Sequence, residues 1–88
     1  MDITQIVEGG IYTVKQEQED ISGICFVVAK INKKSKNCSG FPGLFFNSKF
    51  SYMVNDIENH RAEDFISHIG NVGDNVLKDI KEIANDMI

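Results

Sequence analysis

The lysines and phenylalanines near the middle of the chain are the first residues that could do chemistry. Residues 30–50 carry five lysines and no acidic residue. Lysines beside aromatic rings are the combination that holds single-stranded nucleic acid, because the ammonium groups contact phosphates while the rings stack on bases. The candidate binding set on this interpretation is Lys33, Lys34, Lys36, Phe41 and Phe45.

A second interpretation gives the same residues ordinary structural roles. The chain has six phenylalanines and no tryptophan, so most of its aromatic rings are needed in the core. Lysines in a polar stretch are typical of a solvated loop. The formal net charge of −4 also counts against a general nucleic-acid coat, because contacts with phosphates dominate such binding. A local basic patch can still serve a small target.

Cysteine and histidine could supply a metal site or a nucleophile. The two cysteines form no CxxC pair, and His60 and His68 lack the spacing of one helical turn, so we expect no metal and no other cofactor. Cys25 lies in an apolar run typical of inert packing. Cys38 is predicted to be exposed, where nearby lysines would lower its pKa. No motif typical of a catalytic nucleophile surrounds it, so we expect no enzyme activity.

Acidic residues flank the lysine-rich stretch on both sides. Residues 1–29 carry five acids against one lysine, and residues 51–88 carry eight acids against three basic residues. Such flanks can present a negative surface to a basic protein, including one that normally grips DNA. The favoured function is therefore a small acidic protein-interaction module. The alternative is a single-stranded nucleic-acid-binding module that uses residues 33–46.

The residue usage and the first residues indicate where the protein works. Isoleucine, lysine and asparagine are abundant, and their A/T-rich codons suggest a low-GC bacterium or its phage, so the module would regulate or inhibit a host protein. The start of the chain lacks a basic segment followed by an apolar run, and no apolar run reaches the roughly 20 residues of a membrane span. We therefore expect a cytoplasmic protein with reduced cysteines and no membrane contact.

The first half of the chain predicts two strands. Residues 11–15 follow a Gly-Gly pair and read as a strand. Residues 24–31 are apolar on both faces, as expected of a central strand that is covered on both sides. Residues 16–20, which are all polar, are expected at the tip of a hairpin between these strands.

The middle of the chain leaves one alternative open. Residues 41–44 have proline and glycine in the two central positions of a type II turn. Residues 44–54 follow as extended chain. They form either one strand or a hairpin with Asn47 and Ser48 at its turn.

The last third predicts helices. Residues 62–69, with early acids and later apolar residues, predict a short helix that ends at Gly70. A second helix begins near a cap at Asn71 or Asp74. Its apolar stripe is typical of a core-facing helix, and it would also suit a homodimer. The stripe consists of Val76, Leu77, Ile80, Ile83, Ala84 and Met87.

These elements predict an α+β fold in a single domain, residues 1–88. The expected architecture is a small antiparallel sheet of three to four strands over about residues 10–54, followed by one or two C-terminal helices over about residues 60–87. A curved, SH3-like barrel is one version of this sheet.

Overall fold

A computed structural model describes residues 1–15, 24–47, 49–53 and 56–87, with only the backbone described at positions 24, 45, 46 and 87. In this part of the chain, six strands form one antiparallel sheet and one α-helix follows them, which confirms the α+β class and exceeds the predicted strand count. The elements are β1 (Gly10–Val14), β2 (Ile24–Asn32), β3 (Asn37–Phe46), β4 (Lys49–Tyr52), β5 (Glu58–Arg61), β6 (Phe65–Asn71) and α1 (Asp74–Met87), with 3₁₀ turns at Ile3–Gln5 and Ala62–Asp64.

The sheet is strongly curved because of how the chain passes from β5 to β6. The strand order is β4-β3-β2-β1-β6, and β5 pairs with the first half of β3 while β4 pairs with its second half. In a flat sheet, four strand spacings of about 4.8 Å would separate β5 from β6 by about 19 Å. The three-residue 3₁₀ turn that joins them spans only about 6 Å. The sheet must therefore curl to bring its two sides together.

Each face of the curved sheet has its own hydrophobic core. The inner core lies within the curl and includes the 3₁₀ turn between β5 and β6, whereas the outer core lies between the sheet and α1. Buried residues of the inner core are Ile6, Tyr12, Val14, Phe26, Val28, Cys38, Ala62 and Phe65. Those of the outer core are Ile11, Cys25, Val27, Ala29, Phe41, Ile80 and Ala84.

The prediction of a central strand covered on both sides is confirmed by β2. Phe26 and Val28 point into the inner core, and Val27 and Ala29 point into the outer core. The predicted first strand is confirmed by β1, which pairs antiparallel with β2 with Ile11 opposite Val27. The hairpin tip predicted at residues 16–20 lies outside the described residues.

The type II turn predicted at residues 41–44 is wrong, because these residues lie within β3. That turn needs a positive φ at its glycine, and Gly43 is not among the positive-φ residues. A side chain at Gly43 would collide with the backbone carbonyl of Ser51, so the glycine allows β4 to approach closely. Pro42 lies between the part of β3 that pairs with β5 and the part that pairs with β4. Its carbonyl oxygen accepts a hydrogen bond from the N–H of Met53 (2.9 Å). Proline is tolerated at this position because the N–H that it lacks would belong to neither set of ladder hydrogen bonds.

The hairpin alternative for residues 44–54 is confirmed. β3 ends at Phe46 and β4 begins at Lys49, and these two residues are paired. Asn47 has φ 50°, a left-handed conformation that asparagine tolerates well. Ser48 lies outside the described residues.

The helix predicted at residues 62–69 is wrong. Ala62–Asp64 form a 3₁₀ turn, and the chain then extends as β6 along β1. Tertiary packing overrides the local pattern, because Phe65 packs edge-on against Tyr12 with ring centroids 5.1 Å apart. The β-branched isoleucines that follow favour a strand as well.

The predicted C-terminal helix is confirmed as α1. Its first hydrogen bond runs from the N–H of Leu77 to the carbonyl of Gly73 (2.9 Å), so the helix begins at Asp74. Within the predicted stripe, Ile80 and Ala84 are fully buried in the outer core, and Val76, Leu77 and Ile83 pack beside them, whereas the side chain of Met87 is not described. The described part of the stripe therefore packs on the core, as predicted for a core-facing helix.

Truncation of the helix anchor tests this packing. We expect Ile80→Ala to lower the free energy of unfolding by about 2–4 kcal/mol, because it opens a cavity between α1 and β2. Urea denaturation followed by circular dichroism measures the change. The exposed Asp79→Ala is the matched control and should change stability by less than about 0.5 kcal/mol. Equal effects of both variants would contradict the packing of α1 on the sheet.

Candidate functional site

The β2–β3 turn presents lysines on an ordered frame. The side-chain oxygen Oδ1 of Asn32 accepts hydrogen bonds from the backbone N–H groups of Lys34 (3.1 Å) and Ser35 (3.2 Å). Such an Asx turn fixes the start of the turn. Lys33, Lys34 and Lys36 are all exposed, so the turn holds their ammonium groups in solvent.

The end of this turn has a lysine where glycine would be less strained. Lys36 has φ 57°, in the left-handed region that a side chain disfavours. Its carbonyl accepts from the N–H of Ala62 (2.9 Å), which joins the turn to the link between β5 and β6. The side chain lies near Asp2, and the Lys36 charge is one of the causes that lower the pKa of that carboxyl, after its hydrogen bonds to Thr4.

We expect Lys36→Gly to stabilise the protein. Glycine adopts φ 57° without a clash of Cβ with the backbone, which outweighs its greater chain entropy and gives about 0.5–1 kcal/mol. Thermal denaturation measures the gain as a higher Tm. Lys33→Gly is the control, because φ at Lys33 is not positive and glycine there should lower Tm. A lower Tm for Lys36→Gly would argue against the left-handed conformation.

A shallow concavity of about 620 Å³ lies beside the turn. It is named here the basic cleft, and three of its side chains are Lys30, Lys33 and Lys34. In the described residues none of these three lysines forms an ion pair. The one acidic residue of the cleft, Glu8, binds Lys81 of α1 instead (3.1 Å). The remaining lining residues are Ile31, Asn32 and Ser39.

The structure does not bring the five residues of the candidate binding set together. Lys33 and Lys34 line the basic cleft, and Lys36 lies on the other side of the turn. Phe41 has no exposed surface and packs against Tyr52 in the outer core, so its ring is not available for stacking. Phe45 lies nine residues beyond Lys36, near the far end of β3, which is roughly 30 Å of extended chain at about 3.3 Å per residue. Its side chain is not described.

Cys38 is buried, contrary to the prediction that it is exposed. It points into the inner core with no accessible surface, and burial raises its pKa to about 11. His60 lies directly opposite Cys38 on β5, and His60 Nε2 contacts Oε1 of Glu58 at 2.9 Å. This order of cysteine, histidine and carboxylate matches that of a nucleophilic site. The raised pKa and the absence of any exposed surface leave the thiol protonated and out of a substrate's reach.

The raised pKa of Cys38 predicts a loss of stability in alkaline solution. The thiol ionises near pH 9 when unfolded and near pH 11 when folded, so the folded state holds the extra proton in between and stability falls as pH rises from about 9. Urea denaturation at pH 8, 9 and 10 measures this slope. In Cys38→Ala the slope should be shallower, because one ionising group is gone. Identical slopes would show that Cys38 is not the cause.

The structure provides a second surface, which the sequence pattern missed. Against β1, strand β6 contains two bulges: Ile66 and Ile69 have no partner, although the residues on either side of each are paired. Both isoleucines are turned to solvent, with 65% of Ile66 and 37% of Ile69 exposed. Two large apolar side chains exposed on one short edge strand are uncommon on a solvated surface.

The outer edge of β6 is open among the described residues. No described strand pairs with β6 on the side away from β1, and the Met1 amino group meets the carbonyl of Phe65 (3.3 Å) at its beginning. The strand, FISHIGN, has no lysine, arginine, aspartate, glutamate or proline. Charged residues and proline are the residues that usually keep an edge strand from pairing with another chain. The strands β4 and β5 both carry charged residues. In the sequence, the only indication of this edge is the uncharged run of residues 65–71 with its two β-branched isoleucines.

The inner side of β6 is held firmly against β1. The ring of His68 stacks on Tyr12 with centroids 4.5 Å apart, and its Nε2 contacts the carbonyl oxygen of Gly70 at 2.8 Å. The hydroxyls of Thr13 and Ser67 are hydrogen-bonded at 2.7 Å. The tyrosine hydroxyl in turn accepts from the N–H of Val7 (2.9 Å). The open edge is therefore a fixed surface.

Among the described residues no cluster of histidine, cysteine and acidic side chains could hold a metal ion. In the same part of the chain, no helix has the length and apolar character to cross a membrane. Comparison with known proteins gives no relative: no protein-family model, no curated protein and no solved structure matches this chain.

Proposed function

We propose that this chain is a small protein-interaction module that binds an extended segment of another protein along the open edge of β6. The observation that carries this proposal is an uncharged edge strand, open among the described residues, with two solvent-facing isoleucines. A segment that adds to a sheet edge gains main-chain hydrogen bonds for affinity and side-chain contacts for specificity. The two isoleucines would supply the side-chain contacts.

The charges around β6 support a particular kind of partner. Asp64 directly precedes the strand and Asp74 follows it at the start of α1, whereas Glu63 pairs with Arg61 at 3.5 Å. An apolar centre between acidic ends complements a segment with apolar residues in the middle and lysine or arginine on both sides. A basic partner of this kind also agrees with the acidic character of the chain as a whole.

The strength of binding through this edge is modest. Covering the exposed part of each isoleucine contributes about 1–2 kcal/mol, and each new main-chain hydrogen bond contributes about 1 kcal/mol or less. These gains must exceed the entropy lost when the segment is ordered. We therefore place the dissociation constant in the micromolar range, which suits a regulator that exchanges partners.

The finer fold class and the biological setting are also proposals. An SH3-like barrel is supported by the curl of the sheet and by the 3₁₀ turn between β5 and β6. A reducing, cytoplasmic setting is supported by Cys25 and Cys38, which are buried in different cores. We propose that the module regulates or inhibits a host protein of a low-GC bacterium or its phage, as the codon bias of its residues suggests.

Nucleic-acid binding by the full set of lysines and phenylalanines is the weaker candidate. Stacking on bases requires exposed rings near the lysines, whereas Phe41 is buried and the backbone of Phe45 is at the far end of β3. The proposal for β6 needs no such rearrangement, and we therefore prefer it.

Charge placed on the edge of β6 should weaken binding of the partner. We expect Ile66→Lys and Ile69→Lys to reduce capture of a partner at least tenfold, because a lysine on an edge opposes both apolar contact and strand addition. Affinity capture with quantitative mass spectrometry compares each variant with wild type. Val7→Lys is the matched control, since Val7 is similarly exposed (46%) and lies outside the edge.

Hydrogen exchange completes this test. The amide protons of residues 66–71 should exchange more slowly when the captured partner is bound, because the added strand takes up the free backbone groups of the edge. A partner that binds wild type and both β6 variants equally, or that leaves these amides unprotected, would refute strand addition at β6.

A further inference from the structure

We propose a second binding site, independent of the β6 edge: the basic cleft binds the phosphate backbone of nucleic acid. The site consists of Lys30, Lys33 and Lys34, with the side chains of Asn32 and Ser39 between them. It takes phosphates by charge alone and reads no bases, because no aromatic residue lines it.

Uncompensated charge is the first argument for this site. Three lysines share one concavity, and in the described part of the chain no acidic side chain pairs with any of them. The carboxylate that could neutralise them, Glu8, is taken by Lys81. Neighbouring like charges oppose each other, so a multivalent anion that reaches all three is favoured over separate counterions.

The frame that holds the lysines is the second argument. The turn is fixed by the side chain of Asn32, and it keeps a lysine at position 36 although φ there is 57°. Strain of this kind is typical of functional sites. Lys36 and Arg61 line the concavity of about 550 Å³ on the other side of the turn, where Asp2 and Glu63 offset their charge, so the uncompensated lysines are those of the cleft.

The rest of the chain limits how a polyanion can approach. Besides these five basic residues, the chain has thirteen acids and only four lysines. The acidic residues elsewhere on the chain repel a phosphate backbone, so binding is restricted to the basic cleft. About three phosphate contacts then account for the affinity, and the logarithm of the binding constant should fall with the logarithm of the salt concentration with a slope of about −2 on single strands.

Fluorescence anisotropy with a labelled 12-nucleotide oligothymidylate, from 20 to 200 mM NaCl, tests this proposal. We expect binding at low salt with a slope near −2. In Lys33→Gln and Lys34→Gln the affinity at 20 mM should fall at least threefold, and each slope should become shallower by about 0.7. Lys78→Gln is the matched control, because it removes the same charge from the exposed face of α1 and should leave the slope unchanged.

Three results would overturn the proposal. The first is no binding at 20 mM NaCl. The second is an equal loss in Lys78→Gln, which would show that net charge alone acts. The third is equally tight binding of polyglutamate with the same number of charges, which would assign the cleft to an acidic protein. Because the β6 edge is tested with Ile66→Lys and Ile69→Lys, which leave the cleft intact, failure of either site is seen separately.

Discussion

The short link between β5 and β6 is the constraint on which the rest of the fold depends. Ala62 is buried in the inner core, and its N–H donates to the carbonyl of Lys36 at the β2–β3 turn. Two residues later, the carbonyl of Asp64 accepts from the N–H of Lys15 at the end of β1 (2.8 Å). Three residues thus tie together two strands that a flat sheet would keep far apart. The curl, the inner core and the open edge of β6 all follow from this connection.

A curled sheet solves a problem that a short chain faces. With 88 residues, a flat sheet that packs on one helix would leave its other face in water. Here β2 buries Phe26 on one face and Val27 on the other, so a single sheet serves two cores. The arrangement leaves the polar turns and the edges of the sheet to carry function. Both candidate sites lie there, the basic cleft at the β2–β3 turn and the isoleucines on β6.

The elements that could be predicted from sequence are those whose signal is local. The apolar stripe of α1 repeats with helical spacing, and residues 24–31 of β2 are apolar on both faces of the strand. Each pattern is therefore sufficient to predict its element. The helix predicted at residues 62–69 is wrong because the conformation of this segment depends on the contact of Phe65 with Tyr12. These two residues are more than fifty positions apart in the sequence, so no local pattern reports the contact. The turn predicted at Gly43 is wrong because the sequence does not distinguish a glycine that lets a neighbouring strand approach from a glycine that adopts a positive φ in a turn.

The candidate site divides in the same way. The exposure of Lys33 and Lys34 follows from a polar local sequence, and it was foreseen. The burial of Phe41 and Cys38 depends on which strands flank β3, and no pattern within the stretch contains that information. The isoleucines of β6 do not stand out as a surface in the sequence because residues 62–69 predict a helix, and the two bulges that leave these isoleucines unpaired depend on the pairing with β1.

The paired bulges of β6 also determine which changes in length this strand can accept. Seven residues of β6 lie opposite the five residues of β1, with Ile66 and Ile69 as the two extra positions. Loss of either one removes a bulge and leaves the remaining residues of the strand opposite their present partners on β1, so the faces are kept. Through evolution, β6 can therefore shorten by one residue at a time without a shift of register, and each such loss removes one of the isoleucines that the strand offers to a partner.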